Sequence, residues 1–128
     1  LVDPDMTDPT SVPKAVVAAL TPIFGVNVYP KIAPDGTLPP FAIYGGVGHT
    51  PEVTLSDGIP IESERVQIDV YAEGYLEART LAQSAIDAML AIAAPIVVVP
   101  LETKQEVFDG EVKLYRSTQD FNIWQPRS

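Results

Sequence analysis

His49 is the only histidine of this chain, and there is no cysteine. That inventory excludes a histidine pair, a catalytic triad, a thiolate nucleophile and a thiolate metal site. A metal would have to be held by carboxylates alone, and His49 reads as a polar loop residue. Glu62 and Glu64 form a carboxylate pair of the kind used in acid-base work, but no apolar pocket or electrophile is implied beside them. They read as a solvated acidic face. Gly45-Gly46-Val47-Gly48 has the composition of a phosphate loop without a following Lys-Ser/Thr or a helix N-terminus behind it, so it reads as a flexible strand end. Ser56, Ser63 and Ser84 sit in no nucleophile elbow. Asp69, Arg116 and Asp120 fall at mid-strand positions, where a charge needs a partner, and a cross-strand contact between the arginine and a carboxylate is expected. Neither a catalytic constellation nor a cofactor site is expected, and the chain does not read as an enzyme.

The elements that would position these residues follow from periodicity. Residues 1–10 are rich in Asp and Pro and poor in apolar side chains, and are expected to form a flexible acidic arm. Residues 11–128 then read as a single domain. Ala15, Val16, Ala19 and Leu20 recur at helical spacing after Pro13, which predicts a helix over about 12–21, closed before Pro22. A short strand is expected over 26–29, an irregular proline-rich stretch over 31–40, and a strand at Phe41-Ala42-Ile43-Tyr44. From His49 to Pro60 no periodicity survives, and a long loop is expected there.

Arg65-Val66-Gln67-Ile68-Asp69-Val70-Tyr71 alternates strictly and predicts a half-buried strand. Extended backwards, it puts Glu62 and Glu64 in phase with the apolar residues, which an unpaired core position would not tolerate. The strand is therefore expected to run past the edge of its own domain and to join the long loop in one projecting hairpin. Tyr75, Ala78, Ala82, Ala85, Ile86, Met89 and Ala93 recur at helical spacing over about 75–93, and further apolar residues around the cylinder imply cover on more than one side. A short strand is expected at 96–99, then strands at 104–109 and 112–124, the last one long and the two forming a hairpin around Asp109-Gly110. The final strand has mixed polarity on both faces, as expected of one that is wet on both sides or paired to another subunit. The result is an α+β fold, a mainly antiparallel sheet with two helices on one face. Surface left uncovered on the second helix and the last strand points to a subunit that self-associates in a ring.

The chain is 128 residues long, one domain's worth. Its net charge of −9 is the opposite of the basic footprint of a protein that grips phosphates, so direct nucleic-acid binding is disfavoured. No apolar run approaches the roughly 20 residues of a bilayer span, and Leu1-Val2-Asp3-Pro4-Asp5 lacks the basic start of a signal peptide. A soluble protein without membrane contact is expected.

Four segments together carry a resemblance. Val28-Tyr29-Pro30, followed by Ala33-Pro34-Asp35-Gly36-Thr37-Leu38-Pro39 and Phe41-Ala42-Ile43-Tyr44, is the first. Arg65-Val66-Gln67-Ile68-Asp69-Val70-Tyr71-Ala72, a helix opening at Glu77-Ala78, and Leu114-Tyr115-Arg116 with Gln119-Asp120-Phe121-Asn122-Ile123-Trp124 follow in order. Over about Pro13 to Trp124 the chain resembles the tail completion, or tail terminator, proteins of long-tailed phages and of phage-like particles such as gene transfer agents. The resemblance implies a structural virion protein of the neck, assembled in the host cytoplasm. It would be a homo-hexamer whose ring caps the tail-tube protein and meets the head connector (stopper or adaptor), and DNA would pass its bore without specific binding. A tail-tube or other minor neck protein is the alternative. The hairpin residues His49, Thr50, Pro51, Glu52, Ser56, Asp57, Gly58, Glu62 and Glu64 are then expected to reach a neighbouring ring or subunit. Asp57, Glu62 and Glu64 are the candidates for lining the bore.

Overall fold

Helix α1 spans Ser11–Phe24. Val12, Val16, Leu20 and Phe24, each four residues on from the last, turn one stripe inward and are all buried. The helix runs past Pro22, where the sequence predicted its end. So near the C-terminus the missing proline N–H removes only one late hydrogen bond, and burial of Phe24 offsets that loss. Gly25 then stops the helix in a left-handed conformation (φ 62°), its N–H bonded to Thr21 O at 2.7 Å.

The computed structural model describes residues 11–54, 60–94 and 96–126; the expected acidic arm, 1–10, lies outside them. After α1 come β1 (Val28–Pro30), β2 (Phe41–Thr54), β3 (Pro60–Ala72), helix α2 (Tyr75–Leu90), β4 (Val97–Asp109) and β5 (Leu114–Pro126). They form one five-stranded sheet in the order β1-β2-β3-β5-β4. All neighbours are antiparallel except β1 and β2. The fold is α+β, with both helices on one face.

Three expectations change. The stretch from His49 to Pro60, expected as a long loop, is ladder over its described residues: β2 and β3 stay paired from Phe41↔Tyr71 to Thr54↔Pro60, with register shifts between Gly46 and Gly48 and between Thr50 and Val53. Glycines, a proline and bulges erase the alternation there, whereas backbone hydrogen bonds do not require it. The strands expected at 96–99 and 104–109 are one strand, β4, with a register shift between Pro100 and Lys104. The last strand, β5, is flanked within its own chain by β3 and β4, so neither alternative offered for its mixed polarity holds as stated. Of its odd residues Phe121 and Ile123 join the core, and its even ones form the opposite face.

The core lies between that sheet and the helices. Val66, Ile68 and Val70 of β3 meet Phe121 and Ile123 of β5, Ala42 of β2 and the stripes of α1 and α2. In α2 the buried residues are Ala78, Ala82, Ala85 and Met89, and the three alanines are small enough to bring the helix close to the sheet. Leu81, Ile86 and Ile92 pack around them, and α2 also contacts α1, the cover on two sides that its composition implied. The helix ends at Leu90, capped by Ala91 and sooner than residue 93, with Pro95 close downstream disfavouring helix in the residue before it. The β4–β5 connection takes four residues, with Asp109↔Leu114 the last pair. Asp109 Oδ1 accepts from Glu111 N–H at 3.0 Å, and Lys113 supplies the left-handed residue (φ 58°).

Candidate functional site

Strand alternation sends Arg65, Gln67, Asp69 and Tyr71 of β3 to the face without helices, where they meet Arg116, Thr118, Asp120 and Asn122 of β5. At the centre, Arg65 donates to Asp120 Oδ2 from Nε at 3.1 Å and from Nη2 at 2.5 Å. The Asp120 side chain is 4% exposed and that of Arg65 44%. Asp69 accepts from Thr118 Oγ1 at 2.6 Å and from Gln67 Nε2. Asp69, Arg116 and Asp120, for which the sequence led us to expect a cross-strand contact between the arginine and a carboxylate, all fall on this face. The cation on Asp120, however, is Arg65, which lies diagonally across the ladder from it, whereas Arg116 stands opposite Tyr71. Three buried polar atoms on this face, Ser63 Oγ, Arg116 Nε and Asp120 Oδ1, have no hydrogen-bond partner among the described residues.

Removing one partner of a buried pair leaves the other charge uncompensated. Arg65→Ala is therefore expected to cost about 2–3 kcal/mol, the lower side of the usual range because Arg65 is half in solvent. Arg65→Met with Asp120→Leu should recover most of that loss in urea denaturation. If Arg65→Ala is neutral, the pair contributes nothing.

The hairpin residues occupy the far end of the sheet. Asp57, Ser56 and Gly58 lie outside the described residues. For His49, Thr50, Pro51, Glu52 and Glu62 the backbone path is described, with His49↔Glu64 and Glu62↔Gln125 in register. Glu64 is half-buried on the helix-bearing face, in the phase the alternation implied, opposite Ile123. It lines a cavity of about 240 Å³ with Val12, Pro13 and Lys31. A Cβ at Gly46 beside it would stand 3.0 Å from Glu64 Oε1, a contact that a small shift of the glutamate side chain relieves. Because β5 follows β3 as far as Ile61↔Pro126, this end of the sheet is three strands wide.

At the opposite end, a groove of about 630 Å³ lies on the open face between the 32–37 loop and the β4–β5 turn. Its floor is apolar: Phe41 stacks on Tyr71 with ring centroids 4.8 Å apart, and Ile43 and Leu114 flank them. Asp35, Glu73, Asp109 and Lys113 bring no nucleophile with an adjacent base. Among the described residues no group of three or more His, Cys, Asp or Glu could hold a metal ion, and no helix is long and apolar enough to cross a membrane. On the helix side, Tyr75 OH donates to Glu106 Oε2, and Arg79 donates to Tyr75 OH, both at 3.1 Å. Tyr75 first, then Glu106, hold the Arg79 guanidinium above its ordinary pKa, and the cluster ties β4 to α2.

Arg65 as the partner of Asp120 is the contact that sequence reasoning missed. Its signal was present, since Arg65 begins the alternating strand in phase with Asp69, but the pairing depends on the β3–β5 register.

The family model described as Tail completion protein gp17 matches residues 14–125. Among solved structures, a chain described as "Virion of native gene transfer agent (GTA) particle" is similar in fold. Its TM-score is 0.62 at 14% sequence identity, and the match covers 88% of this chain and 92% of that one. No curated protein matches.

Proposed function

Since the chain belongs to the Tail completion protein gp17 family, a structural phage tail family, we propose that it works as a tail terminator: a homo-hexameric ring that caps the tail tube and joins it to the head connector. The observation that carries this reading is the family match over residues 14–125. The fold likeness to a chain of a gene transfer agent virion supports the setting, a phage-like particle. A structural family implies a protein without catalysis. In this reading the chain sits in the virion neck after assembly in the host cytoplasm, residues 11–128 act as one domain behind an acidic arm at 1–10, and the partners are the tail-tube and connector (stopper or adaptor) proteins.

Electron microscopy and light scattering of the purified protein, alone and with tail tubes, test the ring. One closed ring per tube end is expected. Monomers only, under both conditions at high concentration, would overturn it, and long stacks of rings would identify a tube protein instead.

In the same reading DNA passes through the bore, and a lining of carboxylates repels phosphates where basic groups would hold them. Asp57, Glu62 and Glu64 are the proposed lining. Changing all three to Lys is expected to leave tails on particles and to slow DNA ejection, most at low ionic strength, where screening is weakest. Unchanged ejection from particles shown to contain the variant would remove these residues from the bore.

A further inference from the structure

Among the described residues, both edges of the sheet are bare at one height. β4 is an edge strand 13 residues long, and Val97 and Val99 on it are 52% and 42% exposed. Residues 97–101 of this edge are uncharged, and an uncharged edge stretch is a template for another strand that monomeric proteins usually blunt or cover. On the opposite side β1 pairs only with Ala42–Tyr44. Beyond it, from Gly45 to Thr54, the outer side of β2 has no strand among the described residues.

The ladders place these two bare stretches level with each other. Val97 pairs with Trp124, Trp124 with Ser63 and Ser63 with Thr50, while Val99 connects through Asn122 and Arg65 to Gly48. Neither Val97-Val98-Val99-Pro100-Leu101 nor Gly45-Gly46-Val47-Gly48 carries a charge, in a chain of net charge −9. These are the stretches at which two like-charged copies can approach. The glycines also leave the β2 backbone open to a neighbour.

We propose that β4 of one copy adds to the outer edge of β2 of the next, through residues 97–99 and 48–50, so that the sheets continue from subunit to subunit. The inference rests on the ring reading and names its interface. Within one chain β4 runs antiparallel to β2, because β2 is antiparallel to β3, β3 to β5 and β5 to β4. Copies related by rotation about an axis along the strands therefore meet in an antiparallel joint, the more stable pairing. The contact is heterologous, and because the two edges are level it adds no rise along that axis, the condition for closing a ring instead of winding a filament. Pro30, without an N–H, blunts β1, so the backbone pairing falls on β2.

The absence of cysteine makes the test direct. Val97→Cys and Thr50→Cys are made as separate chains, mixed, assembled on tail tubes and treated with a short thiol-to-thiol cross-linker. Cross-linked dimers are expected only in the mixture, and the chain carrying both changes should yield a covalent ladder that ends at one closed ring. Dimers from Val97→Cys alone would show two β4 edges meeting isologously and overturn the proposal. Rings visible by electron microscopy without any cross-link would also overturn it while leaving the ring reading intact. Absence of both rings and cross-links overturns the two together. As a second variant, Val99→Lys is expected to abolish the ring with the circular dichroism of the monomer unchanged. Unimpaired rings would place the joint elsewhere.

Discussion

Phe121→Ala is expected to lower the stability of the folded chain by about 4 kcal/mol, within the range for truncating a buried aromatic. Phe121 is 1% exposed and is among the largest fully buried side chains of the protein. It stands opposite Val66 on one side and Pro100 on the other and belongs to the cluster in which both helices meet the sheet. Its neighbours are held by strand pairing and cannot collapse into the space left behind. Since domains of this size are stable by about 5–15 kcal/mol, the loss is a large part of the total. In urea the midpoint should fall with little change in slope, and Phe121→Leu, which keeps most of the volume, should cost well under half as much. In particles, the defect would show as absence of the protein instead of failed joining. A loss below about 1 kcal/mol would mean that the sheet and helices are not held together at this point.

Excising Thr50–Pro60 should act in the opposite way, sparing the fold and removing the function. The retained pair His49↔Glu64 would then be closed by the three residues Ile61-Glu62-Ser63, a length that antiparallel hairpins use commonly. Among the described residues, the buried apolar side chains of β2 and β3, from Phe41 and Ala42 to Val66, Ile68, Val70 and Ala72, stay in place. Thermal unfolding should change little, while joined heads and tails should fall to the level of particles lacking the protein. This outcome is expected because the buried residues of β2 and β3 named above lie outside the excised segment, and extensions of that kind generally serve partners. Infectious particles in normal number would show that the hairpin is dispensable for joining, and unfolding would show that it serves the fold.

What the sequence determined by itself was local. The alternation of residues 65–71, the helical stripes of α1 and α2 and the Asp109-Gly110 reversal each depend on side chains a few positions apart. Each was legible because solvent and core sort neighbouring residues by period. Even the awkward phase of Glu64, on the face that carries the helices, was readable from two-residue spacing. Net charge and the lack of cysteine were equally plain, and they removed whole classes of chemistry before any element was placed.

The tertiary structure decided which distant residues meet. Asp120 takes its cation from Arg65, 55 residues away, because β5 returns to lie beside β3 after α2 and β4 have intervened. No local period carries that register. The ladder between 49 and 60 escaped notice for a related reason: its strands are held by backbone hydrogen bonds between partners, and glycine, proline and bulges removed the side-chain pattern by which such strands are recognised. The level, bare edges of β4 and β2 exist only once five strands are in order, since an edge is a property of what is absent beside a strand. Periodicity specifies the faces of each element, whereas the neighbours across and beyond the sheet are set by long-range pairing that the chain reaches only on folding.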